Sequence, residues 1–259
     1  MFYKMLLFIV FGVMAFAQNS KLDEIIQRNK LKVCVWPEYY GISYLEQRTQ
    51  TLQGIDSDLA KELAKDLQVS LEYVPSSFAT LLDDVNTNKC DIAMFAIGNT
   101  QARAQKVRFT TPHLSSDIYA VTTKSNQKIN SWEDIDKKGV VVAVAKGTYH
   151  EPVMKSKLKN AELLVVSNFH AREQEVKAGR ADVFMTDYPF GKRMLAQTNW
   201  AKLITPSSTY YLSDYSWVVN YGDEKWYQRV EKFIKDIKQD GRLLKYAQQN
   251  GLEPIVKLH

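Results

Sequence analysis

Three short segments carry polar groups that could act together on one small charged molecule. Asn99, Thr100 and Arg103 follow the apolar run DIAMFAIG; Lys146, Gly147, Thr148 and Tyr149 follow VVVAVA; Asp187 follows ADVFMT. A guanidinium grips a carboxylate through two parallel N–H bonds, N–H groups at a helix start add partial positive charge, and an aspartate receives an ammonium. A cation, a helix start and a carboxylate together satisfy a zwitterion. Each also has an ordinary alternative: Arg103 as a solvated charge in QARAQKVR, Asp187 as the N-cap of a following helix, Gly147 and Thr148 as a turn and cap. Joint placement favours binding, because ligands of open parallel sheets sit outside the carboxyl ends of the strands.

The elements that must position these groups alternate between two periodicities. LDEIIQRN reads as a short amphipathic helix, LKVCVW as a strand, and GIDSDLAKELAKDLQ as a helix with Asp56 or Ser57 as N-cap and apolar positions at Leu59, Leu63 and Leu67. Strand VSLEYVP, helix FATLLDDVNTNK and strand CDIAMFAIG complete a β-α-β-α-β unit. A second round follows: a capped helix at SWEDIDKKG with Ser131 as N-cap and Glu133 near it, then VVVAVAKG, YHEPVMKSKLK, AELLVVS, AREQEVKAGR and ADVFMTD. Continuous apolar strands joined by helices predict α/β lobes whose mainly parallel sheets are covered on both faces. The tail from about Asp214, with strand YSWVVNY and helices EKWYQRVEKFIKDIKQDG and RLLKYAQQN, is an odd remainder that rejoins the first lobe.

Composition narrows the class. The first 17 residues, MFYKMLLFIVFGVMAFA, combine Lys4, an apolar run from Met5 to Met14 and small residues at Ala15 and Ala17. That run is shorter than the roughly 20 apolar residues a spanning helix needs, so the segment reads as a cleaved signal peptide and the chain as secreted to the periplasm. A net charge of +5 without a long basic block does not imply nucleic acid. The four histidines show no metal-ligand spacing, and no cofactor is implied; G-x-S-x-G, P-loop and G-x-G-x-x-G motifs are absent. Cys34 and Cys90 lie in apolar strand-like runs; two buried thiols and a bridge are both open.

The segments LKVCVWPEYYGISY, GIDSDLAKELAKDL, CDIAMFAIGNTQARAQKVRFTTPHL, VVVAVAKGTYHE, AGRADVFMTD and IKQDGRLLKYAQQNG, in that order, resemble the bacterial extracellular solute-binding proteins of family 3, which capture polar amino acids for ABC transporters. The resemblance implies a two-lobed periplasmic binding protein type II fold: residues 18–116 in lobe 1, 117–208 in lobe 2, and 209–259 returning to lobe 1. It also implies a monomer that closes by a hinge on a free amino acid and delivers it to an inner-membrane permease. By the same resemblance Arg103 clamps the ligand α-carboxylate, Thr148 and the Gly147 backbone complete that subsite, Asp187 takes the ammonium, and Tyr39 and Phe78 sandwich the side chain.

The chain departs from the family pattern at three positions. Gly98 and Ala96 stand where relatives carry hydroxyl or small polar residues, so a backbone N–H or water must serve; Trp36 stands where binders of basic amino acids carry an aspartate. Glu38, two residues on, would favour lysine or arginine if it faces the cleft and is a surface charge if it does not. Tyr149, His150, Tyr40 and Tyr44 could add contacts. Two other uses share the fold. One is a cyclohexadienyl dehydratase, with Glu151 or Lys192 as the general acid an elimination requires. The other is a soluble sensor for chemotaxis or signalling.

Overall fold

The computed structural model describes residues 20–259, so the segment read as a signal peptide lies outside the described residues. Strands β1 (Lys30–Val35), β5 (Ser70–Pro75), β6 (Ile92–Gly98), β7 (Arg108–Phe109), β8 (Leu114–Ser116) and β14 (Ser213–Val219) form one sheet, ordered β5-β1-β6-β14-β7 with β8 also on β14. Strands β9 (Tyr119–Thr123), β10 (Val141–Ala145), β11 (Glu162–Val166), β12 (Val183–Thr186) and β13 (Ala201–Ile204) form a second, ordered β11-β10-β12-β9-β13. Each sheet is parallel through its first three strands and antiparallel beyond them. A third, small sheet joins β2 (Glu38–Tyr39), β3 (Ser43–Glu46) and β4 (Thr51–Gln53).

Helices α1 (Lys21–Gln27), α2 (Ile55–Asp66), α3 (Leu81–Asn86), α4 (Gln101–Ala104), α8 (Glu224–Gln239) and α9 (Arg242–Gln249) accompany the first sheet. Helices α5 (His150–Lys157), α6 (Phe169–Lys177) and α7 (Tyr188–Gln197) accompany the second. All seven positions of β6, IAMFAIG, are buried, as a central strand covered on both faces requires. In α8, Trp226, Val230, Phe233, Ile234 and Ile237 recur at helical spacing and are buried, and Trp226 Nε1 donates to the Asp91 carbonyl at 2.9 Å.

Two local readings are corrected, and one left open is decided. Helix α2 is not capped by Asp56 or Ser57: Gly54 precedes it at φ +123°, where an added Cβ would lie 2.5 Å from the Ile42 backbone. Asp56 is instead fully buried, accepting from Trp217 Nε1 at 2.9 Å and Ala96 N at 2.7 Å, with His113 Nε2 at 2.8 Å. Burial in a polar hub outcompetes capping because a buried carboxylate must have partners. SWEDIDKKG forms one 3-10 turn, Trp132–Asp134, and the residue answering Ser131 in its capping box is Asp134 rather than Glu133. Cys34 and Cys90 are joined by a disulfide that ties β1 to the segment entering β6.

Two chain crossings, near residues 117 and 209, link the sheets. Asp117 holds them together: its carboxylate accepts from Tyr211 N at 2.7 Å and Tyr210 N at 2.9 Å.

Candidate functional site

The carboxyl end of β6 in the first lobe lies opposite those of the neighbouring strands β10 and β12 in the second. Thr100 caps α4 by accepting from Arg103 N at 3.3 Å, which seats Arg103 in the first turn after β6. Its side chain is 7% exposed, so it is not a solvated surface charge. Nη1 donates to the Gly98 carbonyl at 2.8 Å and Nη2 crosses to the Gly147 carbonyl of the second lobe at 2.9 Å. Burial lowers its pKa to about 10, so it stays cationic at neutral pH. Gly147 is left-handed at φ +80°, and a Cβ there would lie 3.0 Å from the Ala79 backbone of the opposite lobe. Glycine thus permits both the turn and the close approach of the lobes. Thr148 is buried, but its hydroxyl donates back to the Ala145 carbonyl at 2.8 Å, and the helix begins two residues later, at His150.

Asp187 is the N-cap of the following helix, and its second oxygen is engaged by tyrosine hydroxyls. Oδ1 caps α7 by accepting from Phe190 N at 3.2 Å, while Oδ2 accepts from the Tyr215 hydroxyl at 2.8 Å and from the Tyr39 hydroxyl. Burial raises its pKa, and the two hydroxyl donors oppose that rise. An ionised carboxylate offers about four acceptor positions, so one remains for a further donor.

Tyr39 and Phe78 do not lie parallel with a gap between them. Their rings meet edge to face at 72° and 5.9 Å between centroids, with Trp36 against both. Trp36 in turn packs on Phe169 of the second lobe at 4.0 Å. Aromatic quadrupoles favour such tilted pairs. Glu38 is exposed, on the rim of an outer groove. Tyr40 and Tyr44 pair with each other at 5.6 Å, and Arg193 of α7 lies 5.9 and 5.4 Å from their rings, so they bridge the lobes outside the cleft.

Gly98 and Ala96 acquire a physical account. A Cβ on Gly98 would stand 3.0 Å from the Tyr149 ring and 3.1 Å from Ser213 Oγ, so the glycine admits Tyr149 where a hydroxyl side chain would otherwise sit. Tyr149 is buried, with its hydroxyl 3.2 Å from that of Tyr215. Ala96 holds φ +48° inside β6, a conformation costly for a residue with a Cβ, and its N–H bond to Asp56 pins it there. Tyr39, Phe78, Ala96, Thr148, Tyr149, His150, Phe169 and Asp187 enclose a cavity of about 10 Å³, near the limit for one water molecule.

Residues 31–252 match the model of the bacterial extracellular solute-binding proteins, family 3. The chain belongs to that family. A solved structure of an ancestral amino acid-binding protein, AncCDT-1, described as a precursor of cyclohexadienyl dehydratase, is 31% identical, with a TM-score of 0.81 over 89% of this chain and 99% of that one. The two-lobed architecture is therefore the type II periplasmic binding protein fold. Among family 3 relatives, the L-cystine-binding protein TcyJ of Escherichia coli is 23% identical over 90% of this chain and 86% of its own. Cyclohexadienyl dehydratase of Pseudomonas aeruginosa is 33% identical over 174 residues, 66% of this chain and 64% of that protein's length.

Local sequence reading missed Arg172, Phe169 and Tyr215. Arg172 is fully buried on α6 with its guanidinium 4.3, 4.5 and 4.6 Å from the rings of Phe169, Phe184 and Phe190. Its signal was present as a cation early in a helix otherwise read only for periodicity.

Proposed function

We propose that this protein captures a free amino acid by closing its two lobes, and that it does so in the periplasm for an ABC transporter. The observation that carries the reading is a buried guanidinium at Arg103, reaching from the first lobe to the Gly147 carbonyl of the second, together with a buried carboxylate at Asp187 that accepts from Tyr39 of the first. An α-carboxylate offered to Arg103 would replace the backbone carbonyls it now holds, and an α-ammonium would take the remaining acceptor position on Asp187. The two contacts come from different lobes, so a ligand making both binds the closed state better and shifts the hinge toward it. The relatives named as amino acid-binding proteins support the same class. A basic side chain has weaker support, because Glu38 stands exposed on the outer groove.

Calorimetric titration of the secreted chain with common amino acids tests this. Arg103→Ala should weaken binding at least a hundredfold; unchanged affinity would show that the guanidinium does not hold the ligand.

The dehydratase relative favours a second reading, elimination from a cyclohexadienyl acid. The two acids considered for it are engaged elsewhere: Glu151 accepts from Gly147 N at 2.9 Å, and Lys192 donates to the Gly251 carbonyl at 2.9 Å. Incubation with prephenate and arogenate distinguishes the readings by the appearance of an aromatic product.

A further inference from the structure

The wall of the inner cavity offers a ligand side chain no partner for a charge. Of the residues that line it, Asp187 alone is a carboxylate or a cation, and the ligand ammonium takes its free acceptor position. His150 is neutral there: burial first, then Arg172, push its pKa down to about 3. One of its ring nitrogens is turned to the Thr186 backbone and its ring stacks on Tyr149 at 4.2 Å, so at most one nitrogen is left for a ligand. Tyr39, Phe78, Tyr149 and Phe169 supply most of the remaining wall. The Tyr39 hydroxyl is engaged by Asp187, the Thr148 hydroxyl donates to the Ala145 carbonyl, and the Tyr149 hydroxyl lies 3.2 Å from that of Tyr215.

The charged groups around that wall already oppose one another. Arg103 and Arg172 are buried on the positive side; on the negative side are Asp187 and Asp56, the latter through its bond from Ala96 N at 2.7 Å, and the partly buried Glu173 stands beside Arg172. A zwitterion with an uncharged side chain leaves this arrangement as it is, whereas a charged side chain adds a desolvated charge without a counter-ion. Glu38 does not supply one. It is exposed on the outer groove, which Phe78 and Phe169 separate from the inner cavity by lining both. Trp36 seals that partition, with its ring on Tyr39 at 5.1 Å, Phe78 at 5.4 Å and Phe169 at 4.0 Å. Because Phe169 belongs to the second lobe and the other three rings to the first, the aromatic wall is complete only when the lobes are closed. An amide side chain is poorly served as well, since it carries two N–H donors and a carbonyl acceptor while the side chains of the wall leave at most one nitrogen free.

We infer that the ligand is an amino acid with an uncharged, apolar or aromatic side chain, and that Trp36, by sealing the wall of Tyr39, Phe78 and Phe169, is the residue that sets this class. The inference rests on the amino acid-binding reading and names the substrate class for it. Ring faces and edges receive an aliphatic, thioether or aromatic group without leaving a polar atom unpaired. Trp36 is thus a specificity-determining residue that keeps the outer groove and its Glu38 carboxylate away from the side-chain subsite.

The test compares L-phenylalanine, L-tyrosine, L-leucine and L-methionine with L-lysine, L-arginine, L-glutamate, L-aspartate and L-glutamine, by calorimetry on the secreted chain. The best apolar or aromatic ligand should bind at least tenfold more tightly than any of the charged amino acids or the amide. This ranking is measured on the parent protein and does not depend on a variant that folds. Trp36→Asp, which sets a carboxylate against the wall, should shift the ratio of methionine to lysine affinity at least tenfold toward lysine. A smaller gap in the parent, or tightest binding of a charged amino acid or of glutamine, overturns the apolar class while leaving amino acid capture intact. An unchanged methionine-to-lysine ratio in folded Trp36→Asp overturns the assignment of Trp36. Binding of none of these amino acids overturns both the class and the reading on which it rests.

Discussion

The Tyr39 hydroxyl of the first lobe donates to the Asp187 carboxylate of the second, so a group suited to a ligand ammonium is already engaged by the opposite jaw. Tyr215 donates to the same oxygen at 2.8 Å. Closure is therefore held partly by the protein's own donors, and a ligand must share this carboxylate with them.

Replacing Tyr39 with Phe should destabilise the protein by about 2 kcal/mol, the scale of a hydrogen bond to a charged group. Because the hydroxyl opposes the upward shift that burial imposes on Asp187, its loss should raise that pKa further. A raised carboxyl pKa means the native state binds more protons than the unfolded chain, so stability falls as pH rises from the ordinary carboxylate range, about 3.9, through the raised value. The Tyr39→Phe penalty should be largest at pH 7 and shrink toward pH 4. Chemical denaturation at the two pH values checks this; an equal penalty at both would refute it.

His150 acts with the opposite sign. Its native pKa of about 3 lies below the unfolded value of about 6.5, so the unfolded state takes up the proton first. Stability should be lost as pH falls from about 6.5 toward 3, by up to about 1.4 kcal/mol per pH unit. Melting temperatures between pH 7 and 4 should fall less steeply in His150→Gln than in the parent.

Gly147→Ala should impair closure more than folding. The left-handed conformation costs a non-glycine residue about 1–2 kcal/mol, and the added methyl meets the Ala79 backbone at 3.0 Å. Ligand affinity should drop at least tenfold, and small-angle scattering should show a more open average shape.

The Cys34–Cys90 bridge spans 56 residues of sequence. The loss of chain entropy it imposes on the unfolded state is worth about 4 kcal/mol at most. Denaturant unfolding with and without a thiol reductant should show a lowered midpoint on reduction, with ligand binding retained in native buffer.

Much of the architecture was legible because it is local. Unbroken apolar runs such as IAMFAIG and VVAVA announce strands buried on both faces, and the helical spacing of Trp226, Val230, Phe233 and Ile237 announces a packed amphipathic helix. Position after a strand sufficed to select Arg103, Gly147 and Asp187. The partners of those groups were not legible, since Tyr39 and Asp187 are 148 residues apart and Arg103 and Gly147 are 44 apart. Periodicity carries no information about which distant side chain fills a given volume. Only the tertiary structure decided that Asp56 is a buried hub and not a cap, that Tyr149 takes the space beside Gly98, that the two cysteines meet, and that Arg172 is enclosed by three phenylalanines. Each of these depends on packing across elements, where burial forces polar groups to find partners that sequence spacing does not specify.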